Sequence, residues 1–375
     1  MSTYQVLLDG TAAGDDFYDA VSVLEVEENL HLPDALRLVL PVSAVDGDLS
    51  WVGDRKIRPY ANIAVTATPE GGATQCVFDG YVQSHQIHLQ AGITASTVEV
   101  RAQDASVLMG LEHKAREWTG MTEGAVANSI FGEYGFTPGA RNTDDDTPAH
   151  DAPGHSLMQR GTDLEFLRRL ARRSGRWCRV ACAGAPGVRT GVFAVPDLRA
   201  EPVTTIAMND PEQAPVAALD FHWDVARPNS VLAAQATLTD DDPEGFTADT
   251  TDSGLPLLDA RSLAEFAGRT ASVRLTTGGD AADLPVRARA VLREAGWFTG
   301  ARGVADISRV RVVLRVGSVV ALAGVGQLLS GRYLVTGVRH TIGRNSHTMA
   351  FTLARNAVGP AAGAAGTPGL PGGIG

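Results

Sequence analysis

Gln159-Arg160-Gly161-Thr162-Asp163-Leu164-Glu165-Phe166-Leu167-Arg168-Arg169-Leu170-Ala171, closed by Gly175, is the stretch that decides how this chain folds. Thr162 and Glu165 stand at capping-box spacing. The hydroxyl can accept from an orphan N–H of the first turn, and the carboxylate can reach back to the cap. Leu164, Leu167, Leu170 and Ala171 form an apolar stripe. Arg168, Arg169, Arg172 and Arg173 crowd the last turns, where cations complement the helix dipole. Gly175 supplies a stop. A helix is therefore predicted near 162–174, followed by a strand carrying Trp177 and Val180.

On the N-terminal side the pattern has a period of two. Leu36, Leu38 and Leu40 alternate with Arg37 and its neighbours, and Val98, Val100 and Ala102 alternate with Glu99 and Arg101, as half-buried antiparallel strands require. Asp46-Gly47-Asp48, Glu70-Gly71-Gly72 and Gln90-Ala91-Gly92 supply turns. Residues 1–108 read as a small barrel or sandwich. Residues 109–214 read as an α/β segment, with a further helix near 122–135 on Val126, Ile130 and Tyr134, and a solvated loop over 141–154. From 215 to 357 the β pattern returns. Val310, Val312, Leu314 and Val316 alternate with arginines, and Met349, Phe351 and Leu353 alternate with small or polar residues. Helices are inserted near 260–268 and 284–296. Residues 358–375 are nearly all Gly, Ala and Pro, too poor in apolar side chains to offset their ordering entropy, so a disordered tail is expected. Tyr81–Ala105 and Tyr333–Ala357 echo each other at Tyr81/Tyr333, His88/His340, Ala102/Ala354 and Ala105/Ala357, a hint of duplication.

The net charge of −11, from 32 basic and 43 acidic residues, argues against a non-specific nucleic-acid or membrane binder. The opening MSTYQVLLDG lacks the basic and apolar regions of a signal peptide, and no 18-residue apolar run occurs. Cys76, Cys178 and Cys182 lack zinc-finger partners and read as free thiols. His150, Asp151 and His155 surround Pro153-Gly154 without the helical spacing of a zinc site. Asp144–Asp146 and Asp240–Asp242 lack the glycine and terminal glutamate of a calcium loop. No nucleophile elbow, Walker loop or dinucleotide fingerprint is present. No catalytic residue, cofactor or metal is therefore assigned. The strongest charge feature is the arginine helix, whose Arg168, Arg169, Arg172 and Arg173 are a candidate protein interface.

The quoted helix resembles the Q-x-x-(S/T)-D-x-x-F-L-x-x-L-A-x-x-x-G segment of the phage late control D family, which includes baseplate hubs and the hub portion of VgrG-type spikes. Asp79-Gly80-Tyr81-Val82 with Gln103-Asp104, and Ser330-Gly331-Arg332-Tyr333-Leu334-Val335 with His340 and Phe351-Thr352-Leu353-Ala354-Arg355-Asn356, are similar to further pieces of that family. The likeness covers most of residues 1–357. It implies an α+β, mainly β fold: two similar antiparallel β-barrels with an intervening α/β domain. It also implies a homotrimeric structural ring that adapts a sixfold tail tube to a threefold spike. The expected partners are the tube protein, a separate spike protein and baseplate wedge or LysM-type proteins, with assembly in the cytoplasm and residence in a particle's baseplate. A tail-associated peptidoglycan hydrolase and an effector-loading adaptor are the alternative functions.

Overall fold

The computed structural model describes residues 3–45, 48–91, 96–144, 146–150, 156–182, 184–208, 215–235, 246–277, 281–344 and 346–359. Asp145, Asp151, His155, Asp240–Asp242 and the tail beyond 359 lie outside the described residues. The fold is mostly β, with antiparallel sheets.

The first half contributes β1 (Thr3–Leu8), β2 (Val23–Asn29), β3 (Ala35–Pro41), β4 (Asn62–Thr68), β5 (Gln75–His88) and β6 (Thr97–Asp104). They pair antiparallel in the spatial order β2-β3-β6-β5-β4-β1. The period-two alternation sets their faces: Leu36, Leu38, Leu40, Val98, Val100 and Ala102 are all buried in one core.

The middle region runs through β7 (His113–Trp118), α1 (Glu123–Glu133), β8 (Leu157–Thr162), α2 (Asp163–Ser174), β9 (Trp177–Cys182) and β10 (Arg189–Ala194). Its own core gathers Val126, Ile130, Phe131, Phe166, Leu167, Leu170 and Phe193. The capping box of α2 is made in both directions, and Gly175 ends the helix in the left-handed conformation at φ 65°. Gly191 is required by close approach, since a Cβ there would lie 2.2 Å from the Phe131 ring.

The second half contains β11 (Thr205–Ala207), β12 (Val216–Trp223), β13 (Ser230–Gln235), α3 (Leu263–Ala267), β14 (Ser272–Thr277), α4 (Leu284–Ala295), β15 (Thr299–Asp306), β16 (Val319–Ala323), β17 (Gly331–Ile342) and β18 (His347–Arg355). Parallel β13 and β14 stand apart with α4 packed on them through Val231, Ala233, Leu284, Ala288 and Leu292. The remaining strands follow the order β12-β15-β18-β17-β16-β11. This repeats the order of the first half, except that β11 runs parallel to its neighbour where β1 runs antiparallel.

Three findings differ from the expectations or go beyond them. First, the strands of the two halves connect into one 13-stranded sheet, whose remaining member is the two-residue strand Thr11–Ala12 paired with β1. β17 overhangs the five-residue β16, and its free end pairs antiparallel with β2, from Gly337 opposite Asn29 to Thr341 opposite Glu25. Second, the alternation over 310–316 is not a strand. Ile307–Val310 is a short helix, Arg311 takes a left-handed φ of 56°, and the chain then crosses the core with Val313 and Leu314 buried. Third, the sequence echo is one residue out of step with the structure. Val82 opposite Ala102 and Val335 opposite Leu353 each precede a one-residue bulge, at Gln83 and Thr336. That bulge aligns Val82 with Val335 and Ala102 with Leu353. The matched Tyr, His and Ala identities are therefore not equivalent positions, although the two hairpins are.

Candidate assembly interface

The motif residues are spent on the fold. Gln159 donates to Asp163 at 2.6 Å and accepts from the Trp118 indole at 3.1 Å, both inside the middle core. Asp163 also receives Lys114 at 2.5 Å and the Tyr134 hydroxyl at 2.6 Å. Burial alone would raise its carboxyl, but these donors hold it below the usual carboxylate range. Asp79 binds Arg189 at 2.8 Å and Asn62 at 2.8 Å, and a Cβ on Gly80 would fall 2.0 Å from the Gln103 carbonyl. Arg355, fully buried, is ion-paired to Asp259 and donates to the Gly359 carbonyl at 2.7 Å. Asp79, Gln159, Asp163 and Arg355 are all buried.

The arginine cluster divides by depth. Arg169 and Arg172 are exposed and Arg168 is half-buried. Arg173 turns inward and binds Glu123 at 2.7 Å and Asp283 at 3.4 Å. Arg176 donates to Asp146 at 2.7 Å, where Arg293 of α4 also arrives at 2.9 Å. The loop read as solvated thus anchors the middle region to the second half. Burial pushes the Asp146 carboxyl up, and Arg293 and Arg176 outweigh it to bring it down. Of the four candidate residues, three present the helix to its surroundings and Arg173 holds it from behind.

Where the three regions meet lies a buried charge cluster that local sequence reading missed. Glu28 of β2 binds Arg315 at 2.5 Å, with His340 of β17 at 3.4 Å and Arg179 of β9 at 3.6 Å. Burial raises its carboxyl, but Arg315, the His340 hydrogen bond and Arg179 overcome this and hold it at about 2. Arg179 also binds Asp34 at 2.9 Å, while burial raises the Asp34 carboxyl against that attraction. His340 contacts His347 at 3.0 Å, and burial next to His340 lowers His347 to about 3. The partners lie far apart in sequence, so no short motif announces them. Cys182 lies with its Sγ 2.8 Å from the Cys76 carbonyl. Among the described residues no three His, Cys, Asp or Glu side chains gather as a metal group, and no helix is long and apolar enough to cross a membrane.

Among the edges of the large sheet without a backbone partner in the described residues are β12, and β5 from Ser84 to His88. Each carries exposed apolar side chains. Ile87 is 43% exposed, Trp223 55%, and Leu89, just past the end of β5, 59%. Unpaired N–H and C=O groups beside exposed apolar side chains form a template for another strand. The period-two placement of Ile87 and Leu89 was the available sequence signal.

Comparison with known proteins agrees with this geometry. The family model described as "Phage tail baseplate hub (GPD)" matches residues 47–346. No curated protein matches. Among solved structures, the chain is similar to a tail protein from Neisseria meningitidis MC58, with TM-score 0.63 and 13% identity over 94% of this chain and 96% of that one. It is also similar to the 43 kDa tail protein of prophage MuSo2 from Shewanella oneidensis, with TM-score 0.62 and 14% identity over 94% and 98%. An E. coli component of the type VI secretion system, described as structurally similar to T4 bacteriophage tail proteins, aligns with TM-score 0.54 and 15% identity over 90% and 73%. At these identities the likeness concerns the fold.

Proposed function

The chain belongs to the phage tail baseplate hub family, and from that premise we propose that three copies close into a ring that joins a sixfold tail tube to a threefold spike. The single observation that carries this reading is the duplicated strand order, β2-β3-β6-β5-β4-β1 followed by β12-β15-β18-β17-β16-β11. A ring of three such chains offers six similar half-units to a sixfold neighbour while keeping threefold symmetry for the other. The role is mechanical and involves no covalent chemistry. The net charge of −11 suits a lumen wall past which an anionic cargo slides without sticking.

The buried clusters serve this role by fixing the middle region to both halves, so that load passes through a rigid body. The outer face of α2, with Arg168, Arg169 and Arg172, suits an acidic neighbouring baseplate protein. Arg168→Glu with Arg172→Glu should leave the monomer folded and impair particle assembly. Assembly follows in the cytoplasm, and the protein then resides in the baseplate of a tail or injection particle. Averaged electron micrographs of the purified chain test the ring. A three-lobed annulus with a central hole is expected, and a solid particle without a channel contradicts the reading.

A further inference from the structure

The chain already contains one junction between half-units, β17 against β2, and its geometry predicts the second. Aligning the hairpins on their shared bulge makes His85, Gln86, Ile87, His88 and Leu89 the counterparts of Val338, Arg339, His340, Thr341 and Ile342. Aligning the neighbouring strands through Leu36 opposite Ala102 and Ala301 opposite Leu353 makes Leu219, Asp220, Phe221, His222 and Trp223 the counterparts of Leu24, Glu25, Val26, Glu27 and Glu28. Burial differs sharply between counterparts. His340, Ile342 and Glu28 are 0%, 3% and 1% exposed, whereas Ile87, Leu89 and Trp223 are 43%, 59% and 55% exposed. The first set is covered by a strand and the second is not.

We propose that β5 of one copy pairs antiparallel with β12 of the next, in the register of the internal junction. This deepens the ring reading and rests on it. Transferring the register places Ile87 opposite Phe221 and His85 opposite Trp223 on the core face. It places His88 opposite Asp220 and Gln86 opposite His222 on the other. Paired residues share a face in an antiparallel ladder, so Ile87 meets half-buried Phe221 with Trp223 diagonal to it, while His88 and Gln86 meet the polar side chains of Asp220 and His222. The contact is head-to-tail and uses two different edges. It therefore must close into a ring or extend as a filament, and closure leaves neither edge bare.

The test is a full-length double variant, His88→Cys with Asp220→Cys, treated with a short bismaleimide. Directly opposite Cβ atoms lie about 5 Å apart in such a pair, within its reach. The expected result is a covalent three-chain species from the double variant and none from either single variant, with Ile87→Glu reducing the native assembly to single folded chains. A three-chain assembly that does not cross-link at this pair overturns the register and leaves the ring reading standing. Single chains at every concentration overturn both.

Discussion

The two bulged hairpins are built alike and end differently. At the tip of β17 the outer edge is covered by β2, and Glu28, His340 and His347 are sealed beneath it. At the tip of β5 the same edge is bare and carries Ile87. What decides burial here is therefore not the hairpin but whether a neighbouring strand is available within the chain. Where one is, the protein holds charges in its interior and must pair them. Where none is, it exposes apolar side chains, which cost little alone and reward association.

Acid should affect the covered junction most. His347 is held at about 3 in the fold, below its ordinary 6.5, so the unfolded chain takes up a proton below about pH 6.5 that the native state refuses. Glu28, at about 2 against an ordinary 4.5, adds stability above pH 4.5 that is lost as pH falls toward 2. Both act in one direction. At about 1.4 kcal/mol per pKa unit, His347 should contribute a fall of up to roughly 5 kcal/mol in denaturant titrations between pH 6.5 and 3, opposed between about pH 7 and 3.8 by Asp34, whose carboxyl burial raises to about 7. His347→Leu should flatten that upper limb, and an unchanged slope would contradict the assignment.

Removing the central carboxylate comes next. Glu28→Ala leaves Arg315 and Arg179 buried without this partner and should cost about 3–5 kcal/mol in a urea melt. A loss below about 1 kcal/mol would mean the cluster is solvated. The comparison sharpens with an equivalent pair of leucines. Leu24, 1% exposed under the covered junction, should lose about 2–4 kcal/mol on change to Ala. Its counterpart Leu219, half-buried on the bare edge, should lose roughly 1 kcal/mol or less in the monomer. Equal losses would show that the two junctions do not differ in coverage.

Much of this was legible in the residues. Thr162, Glu165 and Gly175 spell the start and end of α2, and the alternations at 36–40, 98–102 and 349–353 mark strands whose inward faces are buried as read. Local periodicity also misled. The 310–316 stretch alternates in sequence without being a strand: Val310 closes a short helix, and Val313, Leu314 and Val316 enter the core from the irregular backbone after it, with Arg315 drawn to Glu28. The echo of the hairpins was visible, but residue identity picked a register one step from the one set by the bulges. The merging of the halves through β17 and β2, and the inward turn of Arg173, depend on partners far away in sequence, which no local pattern encodes.

Counting chains in a native mass spectrum of the purified protein tests the central claim most directly. The account predicts a discrete three-chain species with no four-chain or longer ladder, because a closed ring leaves no edge to extend. A single chain at all concentrations, or an open-ended series of sizes, would contradict it.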